Sequence, residues 1–225
     1  MNSLNDPKIA ARLEVLHEAA AGDEERWAKR QAAQRNQQQS DEPDPLVRLG
    51  EFYIPVSKQE GELLYMLARA KNAQLIVEFG ASYGVSTLYF AAAARDTQGQ
   101  VITTEVHPQK CAALRDSFSA CAVDDVVTLF EGDARETLQQ INQPIDLLFL
   151  DGWKSLYLPV FELLRPQLKP GALVVSQGAV VDFPNQDNVM HNVFSLTPGS
   201  EFDLEEYGAG STRSRVLREP GEVTA

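Results

Sequence analysis

Residues 75–87 read LIVEFGASYGVST, and the fold is decided there. From Leu75 to Phe79 the chain is apolar apart from Glu78, the pattern of a strand covered on both faces. Gly80 and Gly84 let the backbone turn tightly and bring its N–H groups close to a ligand. Ser86 and Thr87 then open a helix, whose N-terminus attracts negative charge. The full G-x-G-x-x-G spacing is missing, which argues against a dinucleotide pyrophosphate. Alone, the stretch also fits a plain tight turn.

On either side the pattern repeats. Upstream, SKQEGELLYMLARAKN predicts a helix with Ser57 as N-cap and Glu60 completing a capping box. Its apolar face is read as Leu63, Met66, Leu67 and Ala70. Downstream, strand GQVITTE leads to helix PQKCAALRDSFSAC, VVTLFEG to ARETLQQI, and IDLLFLD to SLYLPVFELLRPQL, before strand GALVVSQ. Strands alternating with helices predict βαβ units and a doubly wound parallel sheet. EFDLEEYG and TRSRVLRE, separated by a Gly-containing turn, read as a terminal antiparallel hairpin, which makes the expected sheet seven-stranded and mostly parallel. Residues 1–45 read as a helical extension. Ile9, Leu13, Leu16 and Ala20 form a narrow apolar stripe, and the polar tract QAAQRNQQQSDEPDP follows as a linker. Residues 46–225 are the expected compact domain.

The 225 residues carry 20 Lys and Arg against 32 Asp and Glu, a net charge of −12. Such a chain repels phosphate backbones and anionic bilayers, so neither nucleic acid nor a membrane is expected as a partner. No run reaches the roughly 20 apolar residues of a membrane span. The first residues lack an apolar signal core, which predicts a cytoplasmic protein. Cys111 and Cys121 share one predicted helix and read as reduced, structural thiols.

In such a sheet, ligands sit beyond the carboxyl ends of the strands. The site is therefore expected among Glu78–Ser86, Glu105–His107, Gly132–Ala134, Asp151–Lys154 and Ser176–Gly178. Glu105, 25 residues after Gly80, can accept both hydroxyls of a ribose. Asp133 can meet an adenine amino group or cap the helix after it, and the sequence leaves both open. Asp151 can pair with a ligand ammonium. Trp153 offers an apolar face, and Lys154 is a cation that loses its proton readily when desolvated.

Together, FYIPVSKQEGELL, LIVEFGASYGVSTLYFA, VITTEVHP and IDLLFLDGWKSLYLP resemble the S-adenosylmethionine-dependent O-methyltransferases of the catechol and caffeoyl-CoA type. The resemblance runs from about Phe52 to Val180 and implies a Rossmann-like class I methyltransferase fold. It places Val56 beside the methionine moiety, and Glu78, Gly80, Ser82 and Ser86 around its carboxylate and backbone. Glu105 would hold the ribose and Val106 the adenine face. Asp133 and Ala134 would meet the adenine edge, and Trp153 would pack on the ring. Asp151 would approach the cofactor ammonium, and Lys154 matches the family's catalytic lysine.

One departure counts. The family holds a divalent cation through the Asp of LD-x-W-K and an Asp-Asn pair after the next strand. Asp151 keeps the first position, but Gln177 and Gly178 replace the pair. A hard cation prefers several oxygen ligands, some of them anionic, so no metal ligand set is expected. The expectation is S-adenosylmethionine-dependent methylation of a small-molecule hydroxyl without a metal, with Lys154 and Asp151 as the catalytic pair. Four alternatives stay open: a magnesium-dependent catechol-type enzyme with a site rebuilt from Asp187 or His191, a non-catalytic S-adenosylmethionine-binding protein, a nucleic-acid methyltransferase, which the net charge argues against, and an N-methyltransferase. The resemblance also implies a homodimer. The stretch PNQDNVMHNVFSLTPGS reads either as a lid over the acceptor or as a connection to the hairpin.

Overall fold

The computed structural model describes residues 2–36, 50–177 and 192–195, of which 33–36 and 192–195 are known by backbone path alone. Two helices come first, α1 (Pro7–Ala20) and α2 (Asp23–Asn36), broken at Ala21–Gly22. Helix α3 (Lys58–Lys71) precedes β1 (Leu75–Phe79), α4 (Val85–Thr97), β2 (Gln100–Glu105) and α5 (Pro108–Cys121). Then follow β3 (Val127–Glu131), the single turn α6 (Ala134–Thr137), β4 (Ile145–Leu150), α7 (Tyr157–Leu164), β5 (Leu168–Ser176) and β6 (Asn192–Ser195).

The strands form one sheet in the order β3-β2-β1-β4-β5-β6, every pair parallel. The expected α/β fold and its strands β1 to β5 are present. Strand β6 is an addition, because its polar flanks gave no strand signal. The expected terminal hairpin, and with it the seven-strand count, lies outside the described residues. So do Gly178, Asp187 and His191.

Alternation along the strands divides the core in two. Ile76, Leu147, Phe149 and Val175 face α1, α3, α4 and α5. Val77, Leu148, Leu150 and Val174 face α7 and the turn at Leu138. Successive residues of a strand point to opposite faces, so a sheet covered twice must be apolar at nearly every position. β4 shows this, with all of Ile145–Leu150 buried. Ile9, Leu13 and Leu16 of α1 join the first core beside Leu88 and Val101. Arg12 fixes the same helix to α5, its Nε and an Nη donating to Ser117 Oγ at 3.0 and 2.7 Å.

Helix α3 begins as read, with the reciprocal capping box of Ser57 and Glu60 in place. Its buried face corrects the reading. Gly61, Leu64, Tyr65 and Ala68 are buried, whereas Leu63 and Met66 are 40% and 56% exposed. Close packing on α4 sets this rotation. A Cβ at Gly61 would lie 2.2 Å from the Tyr89 ring, so only glycine allows the two helices this contact. Leu67 is half-buried against the first core and Ala70 is exposed, so the expected face is rotated rather than reversed; Gly61, having no side chain, is invisible to an apolar-stripe count. Cys111 and Cys121 are free and buried, as expected.

Candidate active site

A cavity of about 640 Å³ opens at the carboxyl edge of the sheet, over the ends of β1, β2, β3 and β4. Its floor is the exit of β1. Gly80 has φ +94°, and a Cβ there would fall 2.7 Å from the Gly152 backbone. The turns after β1 and β4 thus pass in direct contact, which only two glycines allow.

The sequence-derived residues separate into those that line this cavity and those that support it. Gly80, Ser82, Glu105, Val106, Asp133, Ala134, Asp151, Trp153 and Lys154 line it. Val56, Glu78 and Ser86 do not. Val56 is 1% exposed and packed in the first core, while its neighbours Ile54 and Pro55 form the wall. Glu78 is fully buried on the face of β1 that meets α4. Ser86 donates to its Oε1 and Thr87 to its Oε2, each at 2.5 Å, and Thr103 donates to Oε2 as well. Burial pushes this carboxyl's pKa up, the three hydroxyls pull it back, and the negative charge of Glu105 adds to the rise. Glu78 therefore staples the first turn of α4 under the cavity floor.

Glu105 is held differently. Its Oε1 accepts from Val106 N and His107 N, both at 2.8 Å, and its Oε2 from Ser82 N at 2.9 Å. Two bonds on one oxygen and one on the other fix the carboxylate and leave acceptor capacity toward the cavity. Asp133 caps α6 through Arg135 N at 2.8 Å and pairs with the Arg135 side chain. The capping half of that open reading is thus present, and Asp133 still faces the cavity. The Arg135 hydrogen bond holds its pKa down.

Beyond β4 the environment changes. Asp151 N donates to Phe79 O at 2.9 Å, but among the described residues no hydrogen bond reaches the Asp151 carboxylate. Burial pushes its pKa well above the ordinary carboxylate range, and the charges of Glu78 and Glu60 add to this while Lys154 opposes it. Lys154 Nζ donates to Gln177 O at 2.8 Å. Burial lowers the pKa of Lys154, and Asp151 counters that fall. Tyr157 also donates to Gln177 O, at 2.9 Å, and burial raises its pKa strongly.

Lys110 was not singled out in the sequence. Lys110 of α5 is 6% exposed, lines the cavity and donates from Nζ to Ser82 Oγ at 3.0 Å. Burial lowers its pKa, while the carboxylates of Glu105 and Asp23 oppose the fall. Its position three residues after His107, on the same helical face, is the one signal that could have drawn attention to it. Two polar atoms of the cavity residues, His107 Nδ1 and Gln177 Oε1, are buried and have no hydrogen-bond partner among the described residues. Buried polar atoms are rarely left so, and a polar ligand would supply what they lack. Among the described residues there is no cluster of three or more His, Cys, Asp or Glu suited to a metal ion. No described helix is long and apolar enough to cross a membrane.

Comparison with known proteins bears on the fold. Residues 77–177 match a family described as a methyltransferase domain. A catechol O-methyltransferase of Niastella koreensis is 29% identical over 141 residues, covering 61% of this chain and 63% of that relative. One of Mycobacterium tuberculosis is 31% identical over 128 residues, covering 56% and 58%. The chain thus spans less than two thirds of the length of either curated relative. The crystal structure of an SAH-bound methyltransferase of Podospora anserina superposes with a TM-score of 0.52 at 29% identity, over 67% of this chain and 68% of that one. With its strand order and carboxyl-edge cavity, the chain has the α/β Rossmann-like methyltransferase fold.

Proposed function

We propose that this protein transfers a methyl group from S-adenosylmethionine to a hydroxyl of a small molecule, and that it does so without a metal ion. The observation that carries this is the pairing of two kinds of site in one cavity. A carboxylate fixed by three backbone N–H groups, Glu105, stands on one side of Gly80, and a desolvated acid–lysine pair, Asp151 and Lys154, stands on the other.

The residues present fit the cofactor. Glu105 would take the ribose hydroxyls on its remaining lone pairs. Val106 and Trp153, 36% and 41% exposed on the cavity wall, would flank the adenine, with Asp133 and Ala134 at its edge. Asp151 would face the cofactor's ammonium, a positive charge that would restore its ionised form. When bound, the cofactor would supply an activated methyl group, carried on a sulfonium that is its own leaving group.

The chain then has to align the acceptor, exclude water and remove the hydroxyl proton. Lys154 is the group for the last task. A phenol of pKa about 10 needs a base, and a lysine works as one only when its own pKa is lowered. Burial does this at Lys154, and its bond to the Gln177 carbonyl holds Nζ in place.

The donor set supports the metal-free reading. Of the metal positions the resemblance implies, the described residues keep Asp151 and offer the neutral amide of Gln177 in place of a carboxylate, with Lys154 lining the same cavity. The test is a methylation assay on a panel of phenols and catechols, with and without EDTA, beside calorimetry with S-adenosylhomocysteine. Binding together with EDTA-resistant transfer is expected. Activity that EDTA abolishes and magnesium restores would overturn the metal-free part. Binding without any transfer would leave a cofactor-binding protein.

A further inference from the structure

We infer that Asp23, on the N-terminal helix α2, is a positioning residue for the cofactor cavity, acting through the rim segment 50–55 on Ser82 and Glu105. The inference rests on the cofactor site proposed above.

One carboxylate holds two consecutive backbone N–H groups of the rim. Tyr53 N donates to Asp23 Oδ2 at 3.0 Å and Oδ1 at 3.2 Å, and Ile54 N donates to Oδ2 at 2.8 Å. Arg26 holds the same carboxylate from the other side, Nη2 to Oδ1 at 2.6 Å, and also donates to Ala19 O at 2.7 Å. Trp27 stacks on Phe52 with ring centroids 4.2 Å apart, so α2 grips the segment at neighbouring points. The grip is used to hold an unfavourable backbone: Ile54 sits at φ +43°, a region β-branched residues avoid. Ile54 and Pro55 in that conformation are cavity wall.

From the rim the contacts run inward without a gap. Ser82 Oγ donates to Tyr53 O at 2.7 Å, and the Tyr53 ring stacks on Tyr83 at 4.1 Å. Lys110 Nζ donates to Ser82 Oγ, and Ser82 N donates to Glu105 Oε2. Ser82 is itself at φ +49° and stays there because both its backbone and its hydroxyl are engaged. Releasing Tyr53 removes the acceptor of the Ser82 hydroxyl and loosens one of the bonds that orient Glu105.

The experiment compares Asp23→Ala, Asp23→Asn and Arg12→Ala. Arg12→Ala detaches α1 from Ser117 and touches nothing at the rim, so it reports general loosening of the N-terminal helices. Asp23→Ala should weaken S-adenosylhomocysteine binding about tenfold and raise KM for S-adenosylmethionine alike, with kcat changed less than threefold. Arg12→Ala should leave both constants within twofold of wild type. Should Asp23→Ala not fold, Asp23→Asn carries the test. Amide hydrogen exchange should quicken at Tyr53 and Ile54, and the dissociation constant should rise about threefold. Unchanged affinity in a folded Asp23 variant, or an equal loss in Arg12→Ala, would overturn the inference. A wild-type protein without affinity for S-adenosylhomocysteine would instead overturn the functional reading beneath it.

Discussion

Glu105 ends β2 and Asp151 follows β4, on either side of β1 in one cavity, and the two are treated in opposite ways. Three backbone N–H groups converge on Glu105 and hold it ready before any ligand arrives. Asp151 receives no hydrogen bond from the described residues, and burial with two acidic neighbours raises its pKa. The first arrangement suits binding, because the donors are already in place and little reorganisation is needed. The second suits chemistry, because a desolvated acid beside a lysine responds strongly to an arriving charge. The contrast follows from the local backbone. The chain after β2 turns so that successive N–H groups point back at the acid, whereas the chain after β4 turns through Gly152 and runs directly into a helical turn at Lys154–Leu156.

Substitutions on the two sides should therefore fail differently. The largest effect is expected at Lys154→Met, a fall in kcat of about 10²–10⁴, the range for loss of a general base, with S-adenosylhomocysteine affinity nearly unchanged. Steady-state kinetics beside calorimetry would show it. In the wild type the rate should rise with pH, because the lysine must be neutral, with a midpoint below the ordinary lysine value of about 10.4. The variant should lose that limb. A variant with unchanged turnover would remove the distinction between the two sides.

Glu105→Ala should do the reverse. It removes the proposed ribose contact and strands the N–H groups of Ser82, Val106 and His107. Affinity for S-adenosylhomocysteine should drop about 10- to 100-fold, as expected for hydrogen bonds to a charged group. Turnover at saturating cofactor should change far less.

For Asp151→Asn the smallest of these readouts is a change in the stability of the protein without cofactor. A carboxyl whose pKa is raised by folding stabilises the protein fully below its unfolded value of about 3.9, and that contribution is lost as pH rises through the folded value. The amide cannot ionise and escapes this loss. Asp151→Asn should therefore melt higher than wild type at pH 8, and the gap should close toward pH 4. Thermal melts at several pH values would check the sign, and a wild type that melts higher at pH 8 would contradict the desolvated reading of Asp151.

Much of the frame was legible because it rests on local pattern. The nearly continuous apolar runs of Leu75 to Phe79 and Ile145 to Leu150, the capping box at Ser57 and Glu60, and the glycine at position 80 each act within a few residues. Elsewhere local pattern misled. Leu63 and Met66 form an apolar stripe on α3, yet glycine packing at Gly61 rotates the helix and leaves both exposed. The site was half legible. Residues after strand ends line the cavity as expected, but Glu78 and Ser86 proved to be buried partners beneath its floor.

What the sequence by itself determined is the order of strands and helices, and hence the edge of the sheet at which acids and glycines gather. Tertiary structure alone decided which of those groups face the cavity, which acid receives hydrogen bonds and which does not, and that Asp23 holds the backbone of Tyr53 and Ile54, some 30 residues further on. The reason is range. Strand alternation and helix caps are set by neighbours along the chain, whereas burial, pKa and a hydrogen bond between distant segments depend on what packing brings within a few ångström.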